Sequence, residues 1–253
     1  MIRAIVYTLT FYIVSALFLV LGSWLLLGPR SWAMMGLKIH GVSCVWLLQK
    51  IVGTRLEVRG HENLPRGAVL VASKHQSAWD TFALVPLLRD PAIIMKRELM
   101  WIPFYGWFSA KFGMIFVRRE AGPSALRRMA RDAAERAGAD REILIFPEGT
   151  RREPGAEPAY KSGALYLYEH LGLPCCPVAL NSGLYWPRRS LARYPGTIIV
   201  EFLKPIPPGL PRKQFAKRLE RAIETASGAL IVEAAGSPNP PPIAESTRQR
   251  LGI

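Results

Sequence analysis

Hydrophobic residues follow two different patterns along this chain, and the change comes near residue 54. From Ala4 to Leu27 the sequence AIVYTLTFYIVSALFLVLGSWLLL runs for 24 residues without a charge. As an α-helix it would be about 36 Å long, enough to cross a hydrocarbon core of about 30 Å. A cleaved signal peptide would be shorter and end in a small-residue A-x-A site, which does not follow here. Gly28-Pro29 breaks the helix. A second apolar segment, Trp32 to Val52, carries Lys38, His40 and Lys50 among Trp, Leu, Val and Met. Those charges suit a helix lying in the interface, or the second arm of a hairpin that enters one leaflet. Residues 1–53 are therefore expected to anchor the chain in a membrane, as one apolar helix or as a two-helix hairpin. The basic flank that follows argues that the rest stays cytoplasmic.

From Thr54 short apolar runs alternate with charged, helical segments. The runs predict strands at Leu56–Val58, Ala68–Ala72, Ala92–Met95, Met114–Val117, Ile143–Phe146, Cys176–Leu180 and Thr197–Leu203. Several are almost wholly apolar, as expected of strands covered on both faces. Helices are predicted at Ala78–Leu88, Pro123–Ala137, Gly163–Leu171 and Lys213–Ala235. The alternation predicts an α/β fold, with a mixed, partly parallel sheet flanked by helices over residues 54–235. The proline-rich tail, 236–253, is expected to be disordered.

Charge adds a constraint on partners. Lysine and arginine outnumber the acids 33 to 19, for a formal charge of +14. Such a balance fits nucleic acid, a membrane surface or a phosphorylated substrate. No recognised nucleic-acid motif is present, and the arginines cluster at strand ends rather than along an aromatic-lined groove. Three cysteines, two of them adjacent, make no disulfide framework and point to a reduced compartment. No clustered His/Cys/Asp set suggests a metal, and no cofactor motif is found.

Four short stretches carry candidate chemistry. His75 follows an apolar strand, and Asp80 comes five residues later. On one straight helix they would point about 140° apart. Ser77-Ala-Trp-Asp80 fits a helix-capping box, however, which bends the chain between them. Asp80 could then accept the Nδ1 proton of His75 and leave Nε2 as a base. Taken alone, the capping role explains the stretch as well. Phe146-Pro-Glu-Gly-Thr-Arg151 closes another strand, with Pro147 and Gly149 forcing a turn that carries Glu148 and Arg151. An arginine at the C-terminal end of a strand suits a phosphate, although a surface Glu–Arg pair is the plainer reading. Gly113 to Arg119 is a third strand ending in adjacent arginines, of which alternation lets at most one face a given site. Pro177 to Gly183 is a strand and turn that says little alone.

In order and spacing, the four together resemble the glycerolipid acyltransferase family. His75 and Asp80 match its H-x4-D block, Gly113–Arg119 is similar to G-x-x-F-[IV]-x-R, and Phe146–Arg151 matches F-P-E-G-T-R. Pro177-Val-Ala looks like the fourth, proline-containing block. The resemblance covers about residues 50 to 205, and Lys96 falls where many members carry a lysine. Arg118 departs from the aspartate common in this branch, and Arg152 from a common serine. An apolar N-terminus before one compact domain is most similar to the bacterial 1-acyl-sn-glycerol-3-phosphate acyltransferases.

That resemblance implies acyl transfer from acyl-CoA or acyl carrier protein to the 2-hydroxyl of lysophosphatidic acid, giving phosphatidic acid at a bacterial inner membrane. It implies His75 as general base and Asp80 as its orienter, with Lys96, Arg119 and Arg151 holding the phosphate. Glu148 would position the glycerol backbone, and Gly149 of the same block is counted with the substrate-binding residues. Other acceptors share these blocks: glycerol-3-phosphate, a lysophospholipid or a lyso-ornithine lipid. A membrane-tethered basic binding protein is the remote alternative.

Overall fold

The computed structural model describes residues 1–118 and 122–253. Helix α1 (Ile2–Leu21) ends at Gly22, and a short 3₁₀ turn (Ser23–Leu26) leads to Pro29, which opens α2 (Arg30–Ile51). Proline suits that position because the first helical turn has no use for its missing N–H. The two helices form an antiparallel hairpin: Tyr7 donates to the Cys44 carbonyl, while Ser15, farther along α1, meets His40, earlier in α2. α2 packs along the rest of the protein rather than standing away from it. Its Gly41 lies so close to the Phe82 carbonyl that an added Cβ would sit 2.7 Å from that oxygen. Of α1 only Ala4 and Tyr7 are buried, and the outward face of the hairpin exposes Leu9, Ile13, Leu17, Trp24, Trp32 and Trp46.

Seven strands follow: β1 (Thr54–Arg59), β2 (Val69–Ser73), β3 (Ala92–Lys96), β4 (Ile115–Val117), β5 (Glu142–Ile145), β6 (Cys175–Leu180) and β7 (Gly196–Phe202). They form one sheet in the order β1-β7-β6-β2-β5-β3-β4, parallel at every pairing except β6–β7. All seven predicted strands are present to within two residues at each end. The connecting helices are α3 (Asp80–Ala83), α4 (Tyr105–Lys111), α5 (Gly122–Gly138), α6 (Ser162–Leu171), α7 (Ser182–Tyr185) and α8 (Arg212–Ala235).

Strand β2 is buried throughout and separates two cores. Val69 and Val71 join the hairpin, α3 and α4 on one face, while Leu70 and Ala72 join α5, α6 and α8 on the other. This alternation decides where the residues after the strand point.

Two expectations need correction. The helix predicted over Ala78–Leu88 is only the single turn α3, followed by a 3₁₀ turn at Val85–Leu87. Pro86 has no N–H for the Phe82 carbonyl, and its ring would clash there, so the chain tightens to i→i−3 bonds at Leu87 and Leu88. The tail is not disordered throughout: it ends in α9 (Glu245–Leu251), whose buried Thr247 donates to the Pro154 carbonyl at 3.0 Å. Its proline-rich composition hid two apolar anchors, Ile243 and Leu251, which pack against the main core.

Candidate active site

The site sits where β2, β5 and β6 end side by side. Ala72 pairs with both Ile145 and Pro177, so β2 and β5 end at nearly one level, while β6 runs three residues farther, to Leu180, before its loop. His75 stands on the loop after β2, on the hairpin side, and stacks on Phe146 with ring centroids 4.0 Å apart. Its Nδ1 lies 2.9 Å from Asp80 Oδ2. A carboxylate can only accept, so Nδ1 is the donor, and in the neutral ring Nε2 carries the free lone pair. Among the described residues nothing is hydrogen-bonded to Nε2.

Asp80 is fully buried, and four donors hold its carboxylate. Oδ2 accepts from the His75 ring and from the backbone N–H groups of Gln76 (2.8 Å) and Ser77 (2.9 Å); Oδ1 accepts from Ser182 Oγ at 2.5 Å. Asp80 reaches back to the Ser77 N–H as the predicted capping box requires, but the helix opens at Trp79, which gives it no side-chain cap. The Ser77 hydroxyl accepts from Trp79 N instead of Asp80 N. The tight turn over residues 76–79, just ahead of the helix, brings the two side chains together.

Ser182 comes from the fourth block, 102 residues away in sequence, and sequence reasoning missed it. The one available signal was a hydroxyl just past the end of a strand that proves to neighbour β2. Gln76 ties the same two loops, its Oε1 accepting from Gly183 N at 3.0 Å. The third block is joined too, because Arg152 N donates to the His75 carbonyl at 2.8 Å.

The basic residues lie along the same C-terminal edge of the sheet. Lys96 ends β3, Arg118 follows β4, which pairs beside it, and Arg151 follows β5; all three are exposed. Arg119 lies outside the described residues. Gly149 has φ +65°, a left-handed conformation that glycine adopts without strain, and its N–H closes a turn on the Phe146 carbonyl. Glu148, expected to meet the glycerol backbone, is 2 % exposed and turned inward, with Oε1 at 3.1 Å from Lys74 Nζ. Burial pushes its carboxyl above the usual range, against the pull of Lys74.

A scan of family models matches the acyltransferase family over residues 55–181, the stretch that carries all of these loops. The chain belongs to the acyltransferase family. It is 40% identical over 156 residues to the 1-acyl-sn-glycerol-3-phosphate acyltransferase of Pseudomonas aeruginosa, covering 62% of this chain and 61% of that one. The match thus spans less than two-thirds of that relative's length. The lyso-ornithine lipid O-acyltransferase of the same organism is 26% identical over 227 residues, covering 79% of this chain and 87% of its own. A crystal structure of the 1-acyl-sn-glycerophosphate (LPA) acyltransferase from Thermotoga maritima superposes with a TM-score of 0.77 at 23% identity, covering 90% and 96% of the two chains. At that identity the likeness speaks for the fold.

Two further features of this member of the acyltransferase family bear on the site. An apolar cavity of ≈ 640 Å³ lies between the hairpin and the sheet, lined by Phe11, Phe18, Leu37, Phe82, Phe108 and Met114 among others. Thr81 and Phe82, the residues after Asp80, form part of its wall, so it approaches the site on the His75 side of the sheet. Second, the two adjacent cysteines that open β6 are buried. Desolvation pushes Cys176 up to about 12 and Cys175 well above the usual thiol range, so neither is a ready thiolate.

Proposed function

We propose that this protein transfers a fatty acyl group from acyl-CoA or acyl carrier protein to the sn-2 hydroxyl of 1-acyl-sn-glycerol-3-phosphate, giving phosphatidic acid. The observation that carries the reading is the His75–Asp80 pair at the common edge of three parallel strands, with Nε2 bonded to none of the described residues. Nε2 takes the proton as the hydroxyl oxygen attacks the thioester carbonyl. The C–S bond then breaks, and the proton passes to the departing thiolate. Asp80 keeps the ring oriented and stabilises the imidazolium between these events. Lys96 and Arg151 offer positive charge for the acceptor phosphate at the same edge, and the cavity offers apolar room for an acyl chain.

Substrate and protein meet at a membrane surface. The exposed apolar face of the hairpin enters one leaflet while α2 keeps the catalytic domain packed against it. The chain's net charge of +14 draws it to anionic headgroups, with about 1 kcal/mol from each basic residue near the surface. Both features support a position on the cytoplasmic face of a bacterial inner membrane.

The longer likeness to the lyso-ornithine lipid enzyme, over 79% of this chain, supports a second reading, with that lipid as acceptor. Purified protein with a labelled acyl donor and a panel of acceptors separates the two. Lysophosphatidic acid is expected to have the highest kcat/KM, ahead of glycerol-3-phosphate, lysophosphatidylethanolamine and lyso-ornithine lipid. A higher value for any other acceptor replaces the acceptor named here.

A further inference from the structure

Lys74 stands between strand β2 and His75, and alternation sends its side chain to the opposite face of the sheet from the imidazole. It is 2 % exposed. Its Nζ donates to Glu148 Oε1 at 3.1 Å and to both carboxylate oxygens of Glu224 on α8, at 2.8 and 3.0 Å. Tyr160 adds a fourth bond, its hydroxyl donating to Glu224 Oε1 at 2.9 Å. Burial and the nearby Glu224 charge push the Tyr160 hydroxyl far above its usual range, so it remains a donor. A charge this deep is retained only with its partners in place.

This network grips the Phe146–Arg151 turn at Glu148. The turn has two other anchors, Lys161 N on the Pro147 carbonyl and Arg152 N on the His75 carbonyl. Arg151 lies between Glu148 and Arg152, so its backbone is fixed from both sides. On one side the strut is Lys74; on the other it is the main chain of the general base itself.

We propose that Lys74 is a positioning residue for acceptor recognition: by holding Glu148 against α8 it sets the turn that presents Arg151 to the acceptor phosphate. Glu148 then acts through the turn it anchors and not by touching the glycerol. The inference rests on the acceptor reading above and adds to it the residue that supports phosphate recognition from behind.

The test compares lysophosphatidic acid with monoacylglycerol, the same lipid without its phosphate. Wild type is expected to prefer lysophosphatidic acid strongly. Lys74→Met is expected to raise KM for lysophosphatidic acid about tenfold or more, the size expected when a charge-assisted contact is misplaced, and to leave kcat/KM for monoacylglycerol near wild type. Glu224→Gln keeps the Lys74–Glu148 bond, weakens the anchor on α8 and lies partly at the surface; it should show the same selective loss at smaller size, and it decides the matter if Lys74→Met does not fold. Equal losses on both acceptors, or an unchanged preference in the folded variants, would overturn the positioning role while leaving the acceptor reading intact. A wild type with no preference for the phosphate overturns that reading, and the inference with it.

Discussion

Replacing His75 by alanine is expected to lower acyl transfer by about 10²–10⁴-fold, the contribution typical of a positioned general base. The protein should stay folded and membrane-bound, because the imidazole contributes little to either core. It stacks on Phe146 at the edge of the sheet and, among the described residues, makes one side-chain hydrogen bond, to Asp80. Initial rates with thioester and lysophosphatidic acid, beside a thermal unfolding curve, check both halves of the statement. Near-wild-type activity in a folded, purified variant would remove His75 from the chemistry.

Asp80→Asn is the second large effect, and the contrast with Asp80→Ala explains it. An asparagine can keep its oxygen where Oδ2 accepts three donors, while its amide faces Ser182, whose hydroxyl turns to accept. The fold survives, but the charge that stabilises the imidazolium is lost. A loss of about 10²-fold or more in kcat is expected with little change in unfolding temperature. Alanine instead strands the donors of Gln76, Ser77 and Ser182, each buried and unsatisfied at about 1–3 kcal/mol. Against a total stability of about 5–15 kcal/mol, that variant is expected to fold poorly. Measuring kcat and the unfolding midpoint for both separates the chemical role of the carboxylate from its structural one.

How much of this was legible in the sequence varied with the range of the interaction. Strand β2 announced itself as an unbroken apolar run because both its faces are buried, and the same held for β5 and β6. The His75–Asp80 encounter could also be read, since a local turn makes it. The apolar pattern over Ala78–Leu88 predicts one helix, which Pro86 shortens to a single turn. Contacts between distant segments were not legible. Nothing near Ser182 says that its loop will lie against Asp80 until β6 is known to pair with β2. Glu148 was read from the motif as a substrate contact, but its surroundings come from Lys74 and from Glu224 on a helix that begins more than sixty residues later. The tail helix escaped because composition averages away single apolar anchors such as Ile243 and Leu251.

Direct transfer, with His75 taking the proton and no side chain taking the acyl group, is the centre of this account. It is tested by quenching the purified protein in mid-turnover with acyl thioester and lysophosphatidic acid, and weighing lipid and protein in one mass spectrum. The expected result is phosphatidic acid in increasing amount and a protein whose mass does not change. An absence of phosphatidic acid, or a protein that carries the acyl group during turnover, would contradict it.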